Sequence, residues 1–164
     1  MDEALYELAV ATGRWLQRRS ARLVTAESCT GGWMAKVVTD VAGSSAWFDR
    51  GFVTYSNEAK QVMLGVRAAT LERVGAVSEA VVREMATGAL AHSRAQWGVA
   101  VSGVAGPEGG SADKPVGTVW IAWASSEGGG WARRFRFAGD REAVRRCSVL
   151  AALAGLIGRD GDGG

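Results

Sequence analysis

Apolar positions along this chain switch between two periods. Leu5, Leu8, Ala9, Trp15 and Leu16 recur at the spacing of one helix face, so residues 3–19 predict an amphipathic helix. The next apolar run is short and unbroken, and 22–26 predicts a buried strand. Residues 30–41 predict a helix that Gly43-Ser44-Ser45 ends. A second strand is expected over 47–55, with Phe48, Phe52 and Val53 as its apolar content. A short helix begins near Asn57, and Gly65 stops it. Ser78 suits an N-cap and Glu79 the positive end of a helix, whose face Val81, Val82, Met85, Ala89 and Leu90 carry to about residue 94. Residues 97–102 read as a third strand. Residues 116–124 read as a fourth, apolar on both faces and therefore central. Trp131, Arg133, Phe135 and Phe137 alternate as a half-buried strand, joined to the fourth by the Gly-rich turn at 125–130. A last helix is expected over 140–157, with Val144, Cys147, Ala151 and Ala154 on one face, and 158–164 as a disordered tail. Helices alternate with strands early and a hairpin comes late. The pattern predicts an α/β fold, a three-layer α/β/α domain over 1–157 with a mixed sheet of about five strands.

Composition narrows the function. The chain has 164 residues, 48% hydrophobic and 22% charged, as expected of one soluble domain with a real core. A net charge of +2, from 19 basic and 17 acidic residues, argues against nucleic acid as a partner. Arg133, Arg134, Arg136, Arg141, Arg145 and Arg146 do cluster, either as a solvated face or as an anion site for a ligand phosphate. Residues 1–10 carry Asp2, Glu3 and Glu7, unlike a positively charged signal segment. No apolar run approaches the roughly 20 residues of a membrane span. With two cysteines, Cys29 and Cys147, the reading is a cytoplasmic protein with free thiols and no membrane partner. Of the seven tryptophans, Trp15, Trp97, Trp120 and Trp123 fall in core patterns rather than on a base-stacking surface.

Candidate chemistry gathers at predicted strand ends, where open α/β sheets bind ligands. The first strand runs into Thr25-Ala26-Glu27-Ser28-Cys29-Thr30-Gly31-Gly32, a polar nucleophile at a strand-to-helix turn with glycines behind it. Unpaired N–H groups at such a helix start can hold a phosphate or a developing oxyanion. Ser28 needs a base, and His92, the one histidine, sits near a helix end in a solvent-facing pattern. Lysine is the next candidate. Lys60 lies just beyond the second strand and Tyr55 at its end, so Ser28, Tyr55 and Lys60 converge if the first two strands bring their carboxyl ends together. Lys60 as an exposed helical lysine and Tyr55 as a strand aromatic are the plain alternatives. The segment 102–110 and its continuation to Gly117 form a third cluster. Its glycines serve a flexible turn or a close approach to ligand, and it lacks the order of a P-loop. Cys29 reads as a small buried thiol, and Glu27 either faces a cationic ligand or caps locally. One histidine and two distant cysteines make a zinc site a poor reading.

Five segments, TAESCTGG from Thr25, GFVTYSNEAK from Gly51, GAVS from Gly75, SGVAGP from Ser102 and KPVGTV from Lys114, resemble in order the CinA C-terminal domain family. The likeness runs from about residue 5 to 157. It implies hydrolysis of the carboxamide of nicotinamide mononucleotide to nicotinate mononucleotide and ammonia, returning pyridine nucleotide to NAD synthesis. In the family the serine of the first motif is the nucleophile, with the tyrosine and lysine of the second beside it; here these are Ser28, Tyr55 and Lys60. In that implied reaction, N–H groups of Thr30, Gly31 and Gly32 hold the oxyanion. Ser102, Gly103 and Arg141 serve the phosphate-ribose end, with Arg141 as a surface residue the alternative. The resemblance implies no metal or organic cofactor and, as partners, the small nucleotide and a second copy in a homodimer.

Overall fold

Asp2 opens the first helix. Its carboxylate accepts the Leu5 N–H at 3.2 Å, satisfying one of the donors that every helix start leaves unpaired. The structure, a computed structural model, describes residues 1–158. Along the chain come α1 (Glu3–Arg18), β1 (Leu23–Glu27), α2 (Trp33–Thr39), a 3-10 turn (Ser44–Ala46), β2 (Phe48–Val53), α3 (Asn57–Leu64), α4 (Ala68–Val74) and α5 (Glu79–Ala91). β3 (Trp97–Gly103), β4 (Thr118–Ser125), β5 (Gly130–Arg136) and α6 (Arg141–Gly158) complete it. The sheet order is β2-β1-β3-β4-β5. β1 pairs in parallel with both neighbours, so Ala26 lies between Phe52 and Ala100. β4 runs antiparallel to β3, and β5 closes the sheet as a hairpin. This is the mixed five-stranded sheet that the alternation predicts, with β4 inside it.

Strand alternation sorts side chains onto two faces. Leu23, Val99, Val101 and Ile121 pack with Leu16 of α1, Val38 of α2 and Leu153 of α6. Val24, Ala26, Ala100 and Ala122 pack with Val82, Met85 and Ala89 of α5. Truncating a fully buried leucine such as Leu16 or Leu153 to alanine costs about 2–5 kcal/mol. The second face is paved with small residues, so α5 lies close to the sheet. A Cβ on Gly98 would come within 3.2 Å of the Ala86 carbonyl oxygen.

Local signals fix α3. The Ser56 hydroxyl accepts the Ala59 N–H at 3.0 Å at its start, and Gly65, at φ 71°, ends it in the left-handed region. The end of α3 rests on α5, where a Cβ at Gly88 would lie 1.8 Å from the Leu64 carbonyl oxygen. Gly88 therefore sets how deeply α3 can seat.

Three elements differ from the pattern reading. α2 begins at Trp33 rather than at residue 30, because Gly31 and Gly32 take φ of 59° and 99° and cannot continue a right-handed helix. β2 ends at Val53, so Thr54 and Tyr55 lie beyond the strand. α4 has no counterpart in the sequence reading; it buries only Thr70 and Leu71, and its N-cap, Arg67, makes no side-chain bond to it. Gly158 belongs to α6, and the rest of the expected tail, 159–164, lies outside the described residues. Among the described residues no helix is long and apolar enough to cross a membrane.

Candidate active site

The turns leaving β1, β2 and β3 are bonded to one another. Thr54 N–H donates to the Glu27 carbonyl at 2.8 Å, and Ser28 N–H donates to the Val101 carbonyl at 3.0 Å. The connection from β1 to β2 covers one face and that from β2 to β3 the other. The cleft outside β1 is thus the switch point where such sheets bind ligands. It measures about 340 Å³, and its walls include Ser28, Lys60, Ser102, Gly103, Glu108 and Arg141. That volume falls in the roughly 300–1,000 Å³ of small-molecule sites. A larger groove of about 510 Å³ between β5 and α6, lined by Trp123, Trp131 and Phe135, presents no nucleophile or base.

Lys60 Nζ lies 3.0 Å from Ser28 Oγ. It also donates to the Thr54 carbonyl at 3.0 Å and to the Tyr55 carbonyl at 3.5 Å. Lys60 is 1% exposed and Ser28 8%. Burial holds the Lys60 ammonium below the ordinary lysine value of 10.5. A Cys29 thiolate would oppose that, but burial pushes the Cys29 thiol up to about 11, so it is neutral at pH 7. The site thus sets a buried amine, whose charged form burial disfavours, against a buried hydroxyl.

Tyr55 reaches the pair through its backbone. Its ring is 62% exposed, and its hydroxyl accepts from Arg141 Nη2 at 3.0 Å. Arg141 Nη1 donates to the Gly106 carbonyl at 2.9 Å. Arg141 therefore belongs to the cleft wall, joined to Tyr55. Ser102 is buried there at the end of β3, and Gly103 is packed from behind: a Cβ on it would meet Val119 Cγ2 at 2.6 Å.

The N–H groups of Thr30, Gly31 and Gly32 differ in what they face. Gly31 N–H donates to the Ser28 carbonyl at 3.1 Å, and Gly32 N–H faces the Glu27 carboxylate. None of the three residues lines the cleft. Among the described residues, the N–H groups of Cys29 and Thr30 have no oxygen acceptor. Glu27 occupies the start of α2. Its carboxylate accepts from Thr30 Oγ1 at 2.6 Å, from Met34 N–H at 2.8 Å and from Ala35 N–H at 3.1 Å. Of the two readings of Glu27, it is the local cap that the structure shows. Burial raises its carboxyl above the ordinary value, and these donors oppose the rise.

Arg145 was legible only as one of a cluster. It donates from α6 to the Cys29 carbonyl at 3.0 Å and to the Thr30 carbonyl at 3.3 Å. Lys114 Nζ donates to the Val74 carbonyl, tying the 104–117 loop to the segment before α5. His92 caps the far end of α5, its Nδ1 2.8 Å from the Gly88 carbonyl. Among the described residues no three His, Cys, Asp or Glu gather as a metal site would need.

The sequence profile of the CinA C-terminal domain matches residues 5–159. The chain belongs to the CinA C-terminal domain family. It is similar to the nicotinamide-nucleotide amidohydrolase PncC of Escherichia coli K12, at 60% identity over 155 residues that cover 94% of each chain. The protein of the same name from Pseudomonas putida is 55% identical over 150 residues, covering 92% of this chain and 93% of its own. Among solved structures, the competence/damage inducible protein CihA from Agrobacterium tumefaciens superposes with a TM-score of 0.93. It shares 46% identity with 96% of each chain covered. The α/β architecture around the cleft is that of the CinA family.

Proposed function

We propose that this chain is a nicotinamide-nucleotide amidase, hydrolysing the carboxamide of nicotinamide mononucleotide to nicotinate mononucleotide and ammonia in pyridine nucleotide recycling. The observation that carries the reading is the 3.0 Å contact between Lys60 Nζ and Ser28 Oγ inside the cleft. The names and identity of the amidohydrolase relatives supply the substrate class.

The chemistry follows from donor counts. A neutral amine has two N–H donors and one lone pair. The Thr54 and Tyr55 carbonyls take the two donors, which leaves the lone pair for the Ser28 hydroxyl. Lys60 accepts the Ser28 proton directly as Oγ attacks the amide carbon. The N–H of Cys29, which borders the cleft, holds the oxyanion, with the Thr30 N–H behind it as the second donor. The Lys60 ammonium then gives its proton to the departing ammonia. Lys60, neutral again, deprotonates the water that hydrolyses the acyl-enzyme. Arg141, linked to Tyr55, faces the anionic phosphate of the nucleotide, and Ser102 and Gly103 border the ribose. Ammonia release from a panel of nicotinamide mononucleotide, its riboside and free nicotinamide tests the reading. The nucleotide should be hydrolysed with saturation and the others poorly. Equal turnover of free nicotinamide would remove the nucleotide from the proposal.

A further inference from the structure

Two charged residues outside the cleft grip the turn that carries Ser28. Glu27, at the end of β1, collects donors from Thr30 Oγ1 and from the Met34 and Ala35 N–H groups of α2. Arg145, reaching across from α6, collects acceptors, the carbonyls of Cys29 and Thr30. Its guanidinium also lies over the Trp33 ring, 5.6 Å from the centroid. The fit against the turn is close, since a Cβ on Gly31 would stand 3.4 Å from Arg145 Nη2. In a trans peptide the C=O and N–H point opposite ways. Holding the Cys29 carbonyl toward α6 therefore turns the Thr30 N–H away from α6, and the same bond limits rotation of the peptide next to Cys29.

We propose that Glu27 and Arg145 are positioning residues, a pair of opposite charge that fixes the Ser28–Thr30 turn so that Ser28 Oγ meets Lys60 and the oxyanion donors stay aimed. The proposal rests on Ser28 being the nucleophile. Neither residue lines the cleft. Each acts through the backbone of the turn: Glu27 through its donors, Arg145 through its carbonyls. Misplacing a nucleophile by about 1 Å costs on the order of 100-fold in rate.

The test compares Glu27→Gln, Arg145→Met and Arg145→Lys with wild type. Readouts are kcat, KM, the pH profile, melting temperature and the rate at which a fluorophosphonate labels Ser28. Glu27→Gln and Arg145→Met should lower kcat and the labelling rate in parallel, by about 10- to 100-fold, with KM within about twofold of wild type. The acidic limb of the pH profile should stay in place, because neither residue touches Lys60. Arg145→Lys, which keeps one charged donor, should recover part of both rates. Full kcat and labelling with only a lower melting temperature would overturn the proposal, as would a rise in KM at unchanged kcat. Should Glu27→Gln lose its fold, the Arg145 pair carries the test on the same terms. Failure of the nucleophile reading looks different: Ser28→Ala would stay active and wild-type Ser28 would go unlabelled during turnover.

Discussion

Lys60 Nζ and Ser28 Oγ stand 3.0 Å apart although 32 residues separate them in the chain. Their meeting depends on two elements. β1 delivers Ser28 at its carboxyl end, and α3 delivers Lys60 one turn past its Ser56 cap. Lys60→Met should lower kcat by about 10²–10⁴-fold, and Lys60→Arg should fail equally, since a guanidinium does not give up its proton near neutral pH. The double variant Ser28→Ala/Lys60→Met should be little worse than Ser28→Ala, because the two act as a unit. Steady-state ammonia release checks all of these.

Turnover should rise with pH. Burial depresses the Lys60 value below 10.5, so the free amine appears at lower pH than for an exposed lysine. The rate should therefore climb with pH through that depressed value and level off short of 10.5. The same shift affects stability. Between the folded value and the ordinary one, the unfolded chain holds the proton that the folded chain has lost. Stability thus rises with pH through that window, and Lys60 costs most below it. Lys60→Met should melt above wild type near neutral pH, with the margin shrinking as pH approaches 10.5. Melting curves of both proteins from neutral to alkaline pH check it.

The Cys29 thiol sits beside the nucleophile yet should take no part. It is buried and pushed up to about 11, whereas Cys147 is half-buried on α6. Alkylating agents should modify Cys147 first, and Cys29→Ala should keep wild-type turnover to within a few-fold, about the scale of a small packing change. Peptide mapping after alkylation, beside the assay, decides this.

Tyr55 and Arg141 should act as a binding pair. Because the Tyr55 hydroxyl meets Arg141 and the ring is 62% exposed, Tyr55→Phe should raise KM for the nucleotide more than it lowers kcat. Arg141→Met should do so more strongly, and its effect should fade with the riboside, which has no phosphate. An equal loss of kcat with every substrate would contradict a binding role and place the Tyr55 hydroxyl in proton transfer instead.

Gly88 links the fold to the site. A side chain there would run into the Leu64 carbonyl and lift α3, with Lys60 on it, away from α5. Gly88→Ala should cost about 1–3 kcal/mol in stability and reduce turnover as well. Denaturant melts and the ammonia assay on the same preparation check both parts.

What could be read in the sequence depended on how local the signal was. Asp2, Ser56, Gly65 and Ser78 cap their helices through neighbours three or four residues away, so these ends were legible. Ser28 and Lys60 stood out because each follows a strand end and histidine offered no other base. α4 was not legible, since it is short, has no side-chain cap at its start and buries two residues. What faces the N–H groups behind Ser28 was not legible. Glu27 folds back on α2 and takes the Met34 and Ala35 N–H groups, and Gly31 N–H turns in on the Ser28 carbonyl. Arg145 could be read only as one of a cluster for a related reason: its acceptors lie 115 and 116 residues away.

The central claim is that Ser28 is acylated during turnover. Wild-type protein quenched in acid during the steady state with nicotinamide mononucleotide, then mapped by mass spectrometry, tests it directly. The account predicts a nicotinoyl-nucleotide adduct on the peptide carrying Ser28, absent in Ser28→Ala, which should also release no ammonia. Undiminished ammonia release by Ser28→Ala would contradict it.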